Sequence, residues 1–328
     1  MKKPIYLLLL FCIGIVSCRK DPDLEVSDRA VSVTPAPDSI TPADFVTGVT
    51  NRYFPLVPGR TFRYIRKVAN GPDTVLQHVD VQVAHETRII DSVTCMVVRE
   101  IAMQDTTKLE EVTSYYAQDL TGTVWKFGED RKTFTAGVPD LKGSWLAGID
   151  SARAGIKMHA NPGAHLGELY YQEYALGIAE DQGLVHDTTR TAIVPFGTFM
   201  NCVRIHDTTA LDPQATTHQY YAAGIGLVQI LNIGSTIITQ LEAIDSIPAS
   251  VSIEHLAFVP DTIAISTGST VTWTNQENLP HTVTADDESF TSPTLQTGRT
   301  FTHTFTVPDT VPYHCSVHPA MKAVVLIR

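Results

Sequence analysis

No run of Lys and Arg occurs anywhere in this 328-residue sequence, and acidic residues outnumber basic ones 35 to 24 for a net charge of −11. A protein that neutralises the phosphates of a nucleic acid needs a basic face, so we expect no nucleic-acid partner. The composition, 43% hydrophobic and 18% charged, is that of an ordinary globular protein. The length predicts roughly two domains.

Long apolar runs are also missing. The stretch at residues 5–16 follows two lysines and spans about a dozen residues, too few to cross a bilayer comfortably. It ends at Ser17-Cys18, and a small residue directly before a cysteine resembles a bacterial lipoprotein cleavage site. This resemblance implies a signal peptide at residues 1–17, acylation of Cys18, and lipid anchoring in the bacterial cell envelope, on the periplasmic or outer-membrane face. An ordinary secretory peptide and an uncleaved anchor helix are the alternatives.

Cysteine is scarce, with five in the chain. If Cys12 leaves with the signal peptide and Cys18 carries lipid, then Cys95, Cys202 and Cys315 remain in an oxidising compartment. Cys95 and Cys202 either form a disulfide or remain two buried free thiols. The odd thiol needs another use, and binding a metal would supply one.

Proline and polar residues mark the organisation of the chain. Residues 18–44 carry four prolines and no periodic apolar pattern, which predicts a flexible tether. A shorter linker is predicted at residues 245–250. The two predicted domains are therefore residues 45–245 and 251–328.

The region 45–245 has few stretches with helical periodicity. Alternating apolar residues at 62–65, 75–83, 95–101 and 192–199 predict a β-rich domain built on a curved antiparallel sheet. Phrases at residues 51–59, 116–119 and 143–145 resemble an exported bacterial domain of unassigned function.

A weak internal repeat accompanies this pattern. Cys95 is followed twenty residues later by Tyr115-Tyr116-Ala117, and Cys202 is followed eighteen residues later by Tyr220-Tyr221-Ala222. Each copy predicts a strand, a turn and a returning strand. The region is therefore expected to contain two related hairpins.

Short alternating segments bounded by glycine and proline turns predict a small β-sandwich at residues 251–328. A histidine after Pro280 and the segment Cys315-Ser316-Val317-His318-Pro319-Ala320-Met321 resemble the plastocyanin, amicyanin and pseudoazurin group of cupredoxins. The spacing Cys-x-x-His-x-x-Met is that of the short, amicyanin-like loop. The resemblance implies an all-β fold with a Greek-key sandwich that binds one type 1 (blue) copper ion. The ligands it implies are His281, Cys315, His318 and Met321.

The residue types suit this cofactor. Two imidazoles and a thiolate in a trigonal set, with a weak axial thioether, are acceptable to both Cu(I) and Cu(II). Many relatives have Asn after the first histidine where this chain has Thr282, and a threonine hydroxyl can donate similar hydrogen bonds. We expect Thr282, Pro280 and Pro319 to surround the ligands and tune the metal.

The resemblance also implies that His318 is the more exposed ligand, at the edge of an apolar patch where a redox partner docks. That patch is predicted to contain Leu279, Pro280, Val317, Pro319 and Ala320. The expected partner is a redox protein such as a c-type cytochrome or an oxidase. His303 and His314, although near the ligands in sequence, are predicted to lie outside the ligand set.

Three functions are compatible with these sequence features. The first is a membrane-tethered electron carrier. The second is a copper-binding or copper-handling lipoprotein whose central domain recognises a partner or ligand. The third, an enzyme, is disfavoured because multicopper enzymes need a second copper centre supplied by His-x-His motifs, and none occurs in the sequence. Glu168, Glu173 and Glu180 are interpreted as solvated surface.

Overall fold

Alternating sequence produces long antiparallel strands through most of this chain. The computed structural model describes residues 33–37, 39–70, 73–246, 249–265 and 267–327. The predicted signal peptide and the acylation site at Cys18 lie outside these residues. In the part of the chain that is described there is no α-helix, only two short 3-10 turns at Pro42–Asp44 and Pro162–His165. Within the same ranges, no helix has the length and apolar character needed to cross a membrane.

The central region consists of strands that pair into one large sheet. These are β1 (Val33–Thr34), β2 (Phe45–Val46), β3 (Arg60–Asn70), β4 (Asp73–Ile90), β5 (Val93–Gln104), β6 (Thr107–Asp119), β7 (Val124–Thr135), β8 (Val138–Asp140), β9 (Trp145–Leu146), β10 (Arg153–Met158), β11 (Leu169–Tyr171), β12 (Glu173–Tyr174), β13 (Asp181–Val194), β14 (Gly197–Thr209), β15 (Asp212–Ala222), β16 (Gly226–Asn232) and β17 (Ile238–Ser246).

Two meanders make up most of this sheet. Strands β3 to β7 pair antiparallel in sequence order, as do β13 to β17. Pairing of β17 with β3 joins the two meanders edge to edge, with Leu241 opposite Tyr64. Tight turns make the long hairpins possible, as between β4 and β5, where Asp91 and Ser92 both take the left-handed conformation with φ of 48° and 64°. The predicted all-β architecture is confirmed.

The two hairpins expected from the internal repeat are present. In β5 and β6, Met96 lies opposite Tyr116, and in β14 and β15, Val203 lies opposite Tyr221. The register of the following strand pair shifts at the same point in both copies, between Tyr115 and Tyr116 and between Tyr220 and Tyr221. The repeated Tyr-Tyr-Ala motif therefore marks equivalent irregularities in two related meanders.

Strand pairing occurs close to the boundaries predicted from the sequence. Val33 and Thr34 pair in parallel with Leu169 and Tyr170, and Ala36 is buried. The segment predicted as a tether thus contacts the folded region from residue 33 onward, because backbone pairing with β11 holds it there. At the linker, residues 245–246 belong to β17 and residues 249–250 to the next strand.

The C-terminal region is a sandwich of two four-stranded sheets, with strand orders β19-β18-β21-β23 and β20-β25-β24-β22. The strands are β18 (Ala249–Glu254), β19 (Ala257–Val259), β20 (Thr262–Ile265), β21 (Thr270–Asn275), β22 (Thr284–Ala285), β23 (Thr300–Thr304), β24 (Asp309–His314) and β25 (Lys322–Ile327).

An aromatic cluster fills the space between these two sheets. Trp273 is fully buried, and its ring centroid lies 5.6 Å from that of Tyr313 and 5.9 Å from that of Phe290. Burial of such large apolar side chains from both sheets stabilises the sandwich and gives the site a rigid base. The predicted β-sandwich is confirmed.

The sandwich packs directly on the central sheet. Ala264 and Leu326 are buried in the same apolar cluster as residues of the central meanders, among them Val83. The His85 ring nitrogen Nδ1 lies 2.9 Å from the carbonyl oxygen of Ala264. Together the described residues form one compact unit.

Candidate metal centre

The first histidine of the site is held by a buried asparagine at the end of β21. Asn275 is fully buried, and its side-chain amide donates to the carbonyl oxygens of Leu279 at 2.7 Å and Leu295 at 2.8 Å. The backbone of His281 is paired with Leu295 in both directions, at 3.1 and 2.7 Å. Because all these groups are satisfied inside the protein, the loop places the His281 ring in a defined position.

The other three candidate ligands lie on the loop between β24 and β25. The amide of His318 donates to the Cys315 carbonyl, and the amide of Met321 donates to the His318 carbonyl. The amide of Cys315 donates in turn to the carbonyl of Met321 at 3.1 Å, which closes the loop. Cys315 is fully buried, and Met321 is 4% exposed. The Cys-x-x-His-x-x-Met spacing thus corresponds to successive turns of one tight loop.

Three donor atoms from these two loops form a compact triangle. The Sγ of Cys315 lies 3.7 Å from His281 Nδ1 and 3.8 Å from His318 Nδ1, and the two nitrogens are 3.3 Å apart. The centre of such a triangle is about 2 Å from each atom, the length of a bond between a transition metal and an imidazole nitrogen. Among the described residues, these three are the group whose donor atoms converge in this way. A trigonal set of two imidazoles and one thiolate is the donor set of a blue-copper site, so the residues fit copper.

Thr282 connects the two ligand loops. Its amide donates to the Cys315 Sγ at 3.3 Å, and its hydroxyl, 3.9 Å from the same sulfur, accepts a bond from the Ser316 amide at 2.8 Å. Thr282, at the position where many relatives have asparagine, therefore links the two loops through its amide and its hydroxyl. Donors around the sulfur stabilise the thiolate form that binds the metal.

A carboxylate lies behind the buried histidine. Glu277 Oε1 is 2.7 Å from His281 Nε2. The Glu277 side chain also accepts from the Leu256 amide at 3.2 Å. Because Glu277 faces Nε2, the other ring nitrogen, Nδ1, is the one that lies near the Cys315 sulfur and is available to a metal.

The two histidines differ in exposure, as predicted. His281 is fully buried, whereas His318 is partly exposed. Around His318 the surface is apolar: Leu279 and Val317 are 45% and 47% exposed, Pro319 and Ala320 are exposed, and Pro280 is half-buried. These apolar residues are the sequence neighbours of the two histidines, and they leave apolar surface exposed.

The remaining histidines of the sandwich have other contacts. His314 Nδ1 lies 2.6 Å from the Asp286 carboxylate at the surface. His303 stacks on Phe290, with ring centroids 4.5 Å apart, and burial lowers the pKa of His303. Neither ring belongs to the triangle.

The disulfide considered for Cys95 and Cys202 is not formed. Both are free thiols with no exposed surface, and they lie in separate apolar clusters. Each occupies an equivalent place in its own meander, so the repeat that relates them also keeps them apart. Burial raises the pKa of Cys95 to about 12 and raises that of Cys202, so both remain protonated. Of these three thiols, Cys315 is the one whose sulfur lies close to other candidate ligand atoms.

The interpretation of Glu173 as solvated surface was wrong, because this residue belongs to an ion-pair network in the central region. Glu173, expected at the surface, is only 12% exposed at its side chain and forms an ion pair with Lys126, whose amine also lies 2.5 Å from Glu129. The available signal was that Lys126 shares a face of its strand with Val124, an apolar residue that is fully buried.

A β-sandwich in which two loops bring two imidazoles and a thiolate to one point defines a cupredoxin. The family of copper binding proteins described as plastocyanin/azurin matches residues 246–328. Amicyanin-alpha of Methylorubrum extorquens is 36% identical over 96 residues, which are 27% of this chain and 81% of the relative. The amicyanin of Paracoccus denitrificans is 29% identical over 83 residues, 24% of this chain and 63% of the relative. Through its C-terminal domain the chain belongs to the plastocyanin/azurin family, and copper is the cofactor of that domain.

Solved structures with similarity cover the same quarter of the chain. A purple cupredoxin from Nitrosopumilus maritimus is 31% identical, with coverage of 24% of this chain and 99% of that one and a TM-score of 0.24. The Cu(I) form of an amicyanin variant is 29% identical, with coverage of 25% and 82% and the same TM-score.

Proposed function

We propose that this protein is a lipid-anchored type 1 copper protein that transfers single electrons in the bacterial cell envelope. His281, Cys315, His318 and Met321 are the residues that would hold the copper ion. The observation that carries the proposal is the triangle of two imidazole nitrogens and one thiol sulfur, with edges of 3.3 to 3.8 Å.

Copper bound there would supply the one-electron couple. The part of the chain is to keep the donor atoms in one geometry that both oxidation states accept. Asn275 and the paired backbones of His281 and Leu295 hold the first histidine, and Thr282 ties the second loop to it. Because these loops are bonded internally, little has to move when an electron arrives or leaves.

The route for electrons is proposed through His318. Its ring is the partly exposed ligand, and the apolar surface around it suits a transient partner such as a c-type cytochrome or an oxidase. We infer electron transfer and no catalytic reaction for this domain, since the sequence lacks the His-x-His motifs of a second copper centre.

Visible absorption of the protein titrated with Cu(II) tests the ligand set. We expect an intense charge-transfer band from the copper–thiolate bond, lost in Cys315→Ser. Cys202→Ser, which alters another fully buried thiol, should keep the band. A colourless wild-type protein would contradict the proposal.

Electron transfer and copper handling are separated by rapid mixing with a c-type cytochrome. A carrier exchanges electrons quickly, and Ala320→Glu slows that exchange while the visible band is retained. Val307→Glu, a change at an apolar residue 68% exposed elsewhere on the domain, is the control. Equal rates for both variants and wild type would argue against docking at His318.

The anchor is tested separately. Metabolic labelling with a radioactive fatty acid should mark the wild-type protein and leave Cys18→Ser unlabelled. Label that persists in Cys18→Ser would exclude acylation of this cysteine.

A further inference from the structure

The central region contains a recess that the copper centre does not use. It has a volume of about 310 Å³ and is lined by residues of both meanders. That volume lies at the lower end of the range for small-molecule sites. The recess shares no residue with the copper centre, so what it does is independent of the function proposed above.

One wall of the recess is aromatic. The Phe54 ring lies between Tyr116 and Tyr221, with centroid distances of 5.1 and 6.3 Å. Phe62 and Tyr64 extend the wall along β3. Two of these phenols are already engaged, because Tyr64 donates to the Leu227 carbonyl and Tyr221 donates to Gln219. The wall therefore presents mainly ring surface to an occupant.

The lining of the recess also contains charged residues. Five acids and three bases line it: Glu100, Glu110, Glu129, Glu173, Asp181, Lys126, Arg131 and Lys157. Lys126 and Glu129 are only 5% and 2% exposed. Burying ions in a protein interior costs several kcal/mol for each one, so a packed apolar core would be the cheaper way to fill this space. Ionic groups gathered beside a cavity are typical of a ligand site.

Two of the three bases are already paired with acids. Lys126 is held by Glu129 and Glu173, and Arg131 by Glu110 and Glu129, whereas Lys157 donates to the neutral amide oxygen of Gln172. Lys126 and Arg131 therefore have little charge left to attract an anion.

The acids are in excess, and Glu100 is one that is only weakly neutralised. It has a long ion pair, 3.9 Å from its Oε1 to the Arg66 guanidinium, and its side chain keeps 35% of its accessible surface. Burial raises the pKa of Glu100, and repulsion from Glu110 and Glu129 adds to this despite the attraction of Arg66 and Arg131. A positive charge placed in the recess would relieve this repulsion.

We propose that the recess binds a small organic ammonium ion. Glu100 and the neighbouring carboxylates attract the charge, while the faces of Phe54, Tyr116 and Tyr221 contact the alkyl groups and stabilise the cation through their ring quadrupoles. An anion is disfavoured because the lining carries two more acids than bases.

Isothermal titration calorimetry of the purified, copper-loaded protein tests this. Tetramethylammonium, choline and tetraethylammonium are the cations, and 3,3-dimethylbutan-1-ol is the control because it has the shape of choline without the charge. We expect at least one cation to bind with a Kd below about 1 mM and at least tenfold more tightly than the neutral isostere. Absence of binding by all three cations, or equal binding of choline and its isostere, would overturn the proposal.

A matched pair of variants locates the site. Glu100→Gln keeps the shape of the side chain and should weaken cation binding about tenfold, a typical effect of one lost charge pair. Glu242→Gln, at an exposed position outside the recess, should bind like wild type. The blue band and the circular dichroism spectrum of each variant report whether it is folded. A folded Glu100→Gln protein with unchanged affinity would also overturn the proposal, as would an equal loss in Glu242→Gln.

Discussion

Thr282 and Cys315 are bonded across the two ligand loops, with the threonine amide 3.3 Å from the cysteine sulfur and the threonine hydroxyl 2.8 Å from the amide of the residue after that cysteine. One side chain thus fixes the separation of the loops and adds a donor next to the thiolate. Hydrogen bonds to a copper-bound sulfur withdraw negative charge from it and so tune the reduction potential.

Thr282→Val keeps the shape and removes the hydroxyl. We expect copper and the visible band to be retained, with a lower reduction potential because the thiolate loses a weak donor. Loss of the bond to Ser316 should cost roughly 1 kcal/mol of unfolding free energy. Potentiometric titration and thermal unfolding measure the two effects. Thr272→Val, a similar change on a strand of the same sandwich, should leave the potential unchanged, and an equal shift in both variants would contradict this role of Thr282.

Asn275→Asp changes a fully buried amide into a carboxylate of the same shape. It removes the donor to the Leu279 and Leu295 carbonyls and buries an unpaired charge, so we expect a loss of about 3 kcal/mol or more and weaker copper retention as the His281 loop loosens. Gln276→Glu makes the same chemical change at the next, exposed residue and should cost little. Chemical denaturation and competition with a copper chelator provide the measurements. Similar stability of the two variants would mean that Asn275 does not hold the loop.

Lys126→Met leaves Glu129 and Glu173 as largely buried carboxylates without their shared cation. Removal of one member of a buried ionic group typically costs about 3–5 kcal/mol, and urea unfolding should show a loss of that size. Lys132→Met removes a lysine whose side chain is 45% exposed, and its pair with Glu111 should contribute less than about 1 kcal/mol. An equal loss of unfolding free energy in both variants would show that burial of the Lys126 network does not increase its contribution to stability.

Asp207→Asn tests a half-buried carboxyl of the central region. Burial raises the pKa of Asp207 to about 7, although Lys157 and a 2.6 Å bond from Gln172 oppose the shift. Since the folded-state pKa lies above the unfolded one, ionisation costs the folded state stability as the pH rises from about 4 to 7. We expect the variant to be more stable than wild type at about pH 8, on the order of 2 kcal/mol, with the difference vanishing at low pH.

Asp212→Asn, at the exposed first residue of β15, is the control for this pH effect. Its unfolding free energy should follow that of wild type throughout the range. If the difference between Asp207→Asn and wild type were the same at all pH values, ionisation of Asp207 would not be what lowers the unfolding free energy.

The sandwich was easier to predict than the central region, because in the sandwich the strand pattern and the ligand motif indicate the same fold. The strand Thr270–Asn275 alternates clearly, Lys322–Ile327 is a short apolar run, and the loop from Cys315 to Met321 carries several ligand types within seven residues. In the long meanders, in contrast, the alternating sequence predicts strands but does not indicate which residues of neighbouring strands pair. The Tyr-Tyr-Ala repeat indicated the two hairpins, but the joining of β17 to β3 pairs residues 171 or more positions apart, and nothing local in the sequence specifies that.

The sequence by itself indicated which residue types meet at the copper centre, because Cys315 and His318 lie on one short loop and two imidazoles with a thiolate suit copper. Only the tertiary structure decided that Cys95 and Cys202 stay apart, that Glu173 pairs with Lys126, and that a recess opens between aromatic rings and carboxylates. Those outcomes depend on which distant strands meet and which face of each strand turns inward. A change of register by one residue reverses every side chain, and register is settled by packing of the whole sheet.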